Sequence, residues 1–79
     1  MPRYFFHVLD GASMPDLDGT VLPSVDAARH EAVRLCAGLL NDGPAKVWDG
    51  ELWQLEVHDE ADELLFTLSF QAREAIPVS

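Results

Sequence analysis

The chain has 79 residues, 48% of them hydrophobic and 24% charged, which suits one folded domain and excludes a wholly disordered chain. Five Lys and Arg stand against 14 Asp and Glu, a net charge of −9, and the cations Arg3, Arg29, Arg34, Lys46 and Arg73 are scattered. Displacing counterions from phosphate takes grouped Lys and Arg, so no nucleic acid and no membrane surface is expected as a partner; a basic protein surface is favoured.

A domain this small buries only about 60% of the surface its unfolded chain exposes, so pairing with a second copy would add stability. Cys36 is the single cysteine, which rules out a disulfide within these residues and fits a reducing compartment. The opening "MPRYFFHVLDG" lacks the hydrophobic region and cleavage site of a secretory signal, and no run is long enough to span a membrane. A cytoplasmic location is expected.

The first predicted element is a strand over Arg3 to Leu9, rich in aromatic and β-branched residues. Tyr4, Phe6 and Val8 share one face; Phe5, His7 and Leu9 share the other. With both faces largely apolar, this strand belongs in the middle of a sheet. Asp10-Gly11 signals a turn, and Ala12 to Met14 could pair back as a short edge piece. Pro15 to Pro23 reads as loop. Ser24 is placed to cap a helix over Val25 to Asn41, with Asp26 in its first turn. Val25, Ala28, Ala32, Leu35, Cys36 and Leu39 form its apolar stripe, and Asn41-Asp42-Gly43-Pro44 supplies the stop.

After a connection containing Trp48, a strand over Glu51 to Asp59 turns Trp53, Leu55 and Val57 inward and Gln54, Glu56 and His58 outward. Glu60-Ala61-Asp62 makes a turn. The last strand, Glu63 to Gln71, alternates Leu64, Phe66, Leu68 and Phe70 inward with Leu65, Thr67 and Ser69 outward. The fold class is therefore α+β: a two-layer sandwich in the order β-α-β-β, with one helix on a three-stranded antiparallel or mixed sheet. The chain is one domain, 1–79, with a weakly ordered tail from 71. A right-handed crossover would place the last strand between the first and the second-last. The uncovered sheet face would then present Phe5, His7, Leu9, Gln54 and Leu65.

Three segments, "MPRYFFHVLDG", "DLDGTVLPSVDAARHEAVR" and "WDGELWQLEVHDEADELLFTL", together resemble one family of short bacterial proteins grouped as a domain of unknown function, number 6894. The resemblance runs from Pro2 to about Phe70. It implies the fold and carries no activity or catalytic residue. Many of those relatives have a glycine where this chain has Ala61-Asp62.

Asp16-Leu17-Asp18-Gly19-Thr20 matches D-x-D-G-T, the signature of haloacid dehalogenase phosphotransferases, in which the first Asp is the nucleophile and both hold Mg²⁺. That chemistry needs the first Asp at the carboxyl end of a buried parallel strand, and Gly11 to Pro15 do not read as one. The string is read instead as a turn: Gly19 takes positive φ, and Asp16 and Asp18 cap nearby amides. As a Ca²⁺ loop it lacks the later ligands. His7, His58 and Glu56 on one sheet face could make a zinc site, but ordinary half-exposed sheet residues are the expectation. Cys36, on the apolar stripe, is a packing residue rather than a nucleophile. Trp48 either closes one end of the core or anchors a partner.

No catalytic, cofactor or metal residue is expected, and no cofactor. The sequence favours a non-enzymatic protein–protein interaction module that self-associates or binds a protein partner through Phe5, His7, Leu9, Trp48, Gln54 and Leu65. The alternative rests on a shorter resemblance of "PDLDGTVLPSVDAARHEA" to antitoxins of HicB type, which implies an acidic module neutralising a basic partner.

Overall fold

Arg3–Leu9 forms β1, with Tyr4 and Phe6 buried and Phe5 and His7 half-buried on the opposite face. The computed structural model describes residues 2–9, 13–42, 48, 53–72 and 75. After β1 the chain doubles back as two short strands, β2 (Ser13–Met14) and β3 (Thr20–Val21), both antiparallel to β1. Val8 pairs with Met14, and Tyr4 with Thr20. β1 thus advances four residues while the returning chain spends six, so Pro15 to Gly19 bulges out of what would otherwise be one edge strand. The Leu22 amide donates to the Pro2 carbonyl at 3.0 Å and brings the chain back to the start of β1.

From there α1 (Val25–Asp42) begins. Ser24 caps it as expected: its Oγ accepts the Ala27 amide at 3.1 Å, and its carbonyl accepts the Ala28 amide at 3.1 Å. Ser24→Ala should lower stability by about 1 kcal/mol, read as a shift in the urea midpoint at constant slope. Only the small members of the predicted stripe, Ala28, Ala32 and Cys36, are fully buried. They let the helix backbone sit close to the sheet. Val25, Leu35 and Leu39 are each 38% exposed, at the helix margin. Leu35 and Leu39 line a cleft of about 380 Å³ with Phe6, Val8, Leu55, Thr20 and Asp16.

β4 (Trp53–His58) and β5 (Leu64–Phe70) complete the sheet, whose order is β2-β1-β4-β5 with β3 also on β1. The class is the expected one, a helix on one face of an antiparallel sheet. β1 is interior, as its two apolar faces suggested. The expected strand order is wrong: β4, not the last strand, lies beside β1, antiparallel, with Phe6 opposite Val57 and Val8 opposite Leu55. The cause is the β2–β3 return. It brings the chain back to the start of β1 before the helix begins, so the helix carries it forward and β4 must run backward. β4 is then the central strand, and Leu55 and Val57 are completely buried. Trp53 is 7% exposed and meets Phe70 edge-on, with ring centroids 5.4 Å apart.

A second correction concerns β5. Val57 pairs with Phe66 but His58 pairs with Leu64, so Leu65 is an extra residue in a β-bulge. The bulge reverses the expected alternation at the strand's start. Leu65 packs against the core, while Leu64, expected inward, stands on the face of His58 and is 54% exposed. Predicted strand ends at Glu51 and Leu52, the Gly43-Pro44 helix stop and most of the tail lie outside the described residues.

Candidate functional site

The D-x-D-G-T string is the bulge opposite the middle of β1. The amides of Phe6 and Val8 point toward this edge, away from β4. Val8 faces β2. Phe6 has no strand opposite it, and its amide donates to Asp16 Oδ2 at 3.2 Å. Asp16 Oδ1 accepts the amides of Gly19 at 3.0 Å and Asp18 at 3.2 Å. One carboxylate thus replaces a missing ladder carbonyl and closes the loop on itself. The Asp16 amide in turn donates to His7 Nδ1 at 2.9 Å. Asp18 contributes its carbonyl, which accepts Arg3 Nη1 at 2.8 Å. Its expected role as a side-chain cap passes to Asp16 alone. Partial burial pushes the Asp16 carboxyl up, but the Gly19, Phe6 and Asp18 amides, aided by His7, outweigh it and hold the carboxyl below its ordinary 3.8.

Gly19 sits at φ +71°. A Cβ there would lie 2.8 Å from Arg3 Cγ, 2.9 Å from Phe5 Cε2 and 3.0 Å from the Tyr4 carbonyl oxygen. The glycine is needed twice, for its backbone angle and for the close approach to β1.

On the far side of the sheet, His7 and His58 stand on neighbouring strands, diagonal to one another, with rings edge-to-face and centroids 4.8 Å apart. Asp62 joins them from the β4–β5 turn, its ligand oxygen within 4.8 Å of a nitrogen of each ring. Asp62, one of the two residues that stand where the resemblance has a glycine, takes φ +61°. Asp59 holds that turn, its Oδ1 accepting the amides of Ala61 and Glu63 at 2.9 Å each. His58 Nδ1 lies 3.3 Å from both the Asp62 carbonyl and its Oδ1; Nε2 lies 3.3 Å from Glu56 Oε1. Partial burial pulls the His58 imidazole down, but the Glu56 and Asp62 contacts outweigh it and hold it above its ordinary 6.5.

These contacts decide how the cluster reads as a metal centre. His7 Nδ1 already accepts an amide, so in the neutral ring Nε2 carries the proton and offers no lone pair. His58 faces acceptors at both nitrogens, the arrangement of an imidazolium. The cluster as built ties the end of β4 to the β4–β5 turn through His58. Since the His58 value is raised on folding, its stabilisation is complete below 6.5 and fades as pH climbs through the folded value. Wild type should therefore lose melting temperature as pH rises above 6.5, and His58→Gln should flatten that slope.

Of the residues expected at a partner surface, Phe5, His7, Leu9 and Gln54 lie half-buried on the open face. Phe5 also packs over Gly19, so part of its role is structural. Leu65 leaves the list because the bulge turns it to the core, and Leu64 takes its place. Sequence alternation could not find Leu64, because the extra residue has no local signature. Trp48 is 64% exposed and does not close the core. Cys36 is 2% exposed, and burial pushes its thiol up, consistent with packing. Among the described residues no helix is long and apolar enough to cross a membrane.

Among the described residues the chain is a small α+β domain, one helix on one face of an antiparallel sheet of five strands rather than the three expected. Residues 3–71 match the model of the Domain of unknown function (DUF6894), and the chain belongs to that family. No curated protein and no solved structure matches it.

Proposed function

We propose that this domain is a non-enzymatic protein-binding module that works through its open sheet face and its outer strand β5. The observation that carries the reading is the one-sided construction of the sandwich. α1 packs on one face only, and among the described residues no helix or strand covers Phe5, Leu9, Gln54 and Leu64 on the other. Exposed apolar side chains beside a strand edge are the usual raw material of protein contacts. An enzyme reading finds little support: Asp16 is committed to three amides, Cys36 is buried, and the His58 nitrogens face carboxylate and carbonyl oxygens.

The test is affinity purification of the tagged chain from its own cells, beside Leu64→Ser and Trp48→Ser, which alter exposed side chains without touching the core. A partner retained by wild type and lost by either variant supports the module. Identical recovery from all three contradicts it. The antitoxin-like alternative draws on the charge of −9 and requires a basic partner released by moderate salt.

A further inference from the structure

We infer that the occupant of the β5 edge is a second copy of this chain, paired antiparallel about a twofold axis through Leu68. The inference rests on the protein-binding reading and names its partner. β5 ends the sheet, and among the described residues no strand pairs with its outer edge. The bulge at Leu65 leaves a regular stretch of Phe66 to Phe70. This stretch, Phe-Thr-Leu-Ser-Phe, has no charge and no proline, and so lacks two common devices that keep edges apart. In a chain of −9 it is a strip where two copies can meet without carboxylate facing carboxylate.

The strip is also self-complementary. With Leu68 on the axis, Phe66 faces Phe70 of the partner and Thr67 faces Ser69 of the partner. Each pair then keeps its members on one sheet face: Phe66, Leu68 and Phe70 on the helix side, Thr67 and Ser69 on the open side. An axis through Thr67 would oppose Leu65 to Ser69, and the bulge has put those two on different faces. The helix-side residues have something to gain. Phe66, Leu68 and Phe70 pack against the core yet remain only partly buried, because one helix is narrower than four strands. A joined sheet brings two such margins together and adds aromatic cross-strand pairs.

The test uses charge on the exposed residues Thr67 and Ser69, which neighbour Glu56 and Gln54 of β4. Sedimentation equilibrium of wild type should give a concentration-dependent dimer. Thr67→Lys/Ser69→Lys sets lysine against lysine and should abolish it. Thr67→Lys/Ser69→Glu sets lysine against glutamate across the axis and should restore it, with an association constant that falls in salt. A strictly monomeric wild type overturns the inference, as does a dimer indifferent to the double lysine. A dimer lost in both variants overturns the register. Because purification from cells scores other partners, a monomer that still retains a Leu64-dependent partner defeats this inference alone.

Discussion

Gly19→Val should unfold the protein at a markedly lower urea concentration, with a loss of about 2–4 kcal/mol. The left-handed angle of +71° costs a Cβ-bearing residue roughly 1–2 kcal/mol. The new atom would also meet Arg3, Phe5 and the Tyr4 carbonyl at 2.8–3.0 Å, and overpacking of that kind adds about 1–3 kcal/mol. Arg3 can swing away, but the Tyr4 oxygen is β1 backbone and cannot move without disturbing the sheet. Gly19→Ala removes the branched methyls but keeps the angle and all three Cβ contacts, so its midpoint should fall between those of glycine and valine. A domain of this size has only about 4–12 kcal/mol to lose. Equal midpoints for glycine and valine would mean that the loop is not packed on β1 as described.

Asp16→Ala is the second large effect, about 2–4 kcal/mol. It leaves three amides without an acceptor, two of them partly buried, and hydrogen bonds to a charged group contribute about 1.5–3 kcal/mol each before water compensates. Asp16→Asn should be milder. Its remaining carbonyl can serve Gly19 and Asp18, while its NH₂ confronts the Phe6 amide, so the fold survives at about 1–2 kcal/mol lower stability. The same carboxylate sets an acid limit. Its folded value lies below 3.8, so its stabilisation is complete above that pH and drains away as pH falls through the folded value. The contributions of Asp16 and His58 are both complete between the two ordinary values, 3.8 and 6.5.

Much of this was legible in the chain itself. Ser24 before an alternating apolar stripe marked the helix start, and aromatic alternation marked β1 and β4, because caps and periodicity are local signals. Gly19 was legible as a turn glycine, though its packing against β1 was not. Strand order was not legible. Nothing in Thr20-Val21 announces a pairing with Arg3-Tyr4, yet that short contact sets the direction of the helix and so the neighbour of β1. The bulge at Leu65 was equally silent, and it exchanged a presumed surface residue for a core one. The Asp16 site shows both sides. Its acidic turn was readable, but its bond to Phe6, ten residues away, depends on a register that only the folded sheet supplies.

That bond is central, for it makes the D-x-D-G-T string an edge plug in the sheet. The most direct measurement is amide hydrogen exchange at Phe6 in wild type and Asp16→Ala. Wild type should protect the Phe6 amide comparably with its neighbours in β1, and Asp16→Ala should lose that protection while Val8, paired with Met14, keeps most of its own. Unchanged protection of Phe6 in Asp16→Ala would contradict it.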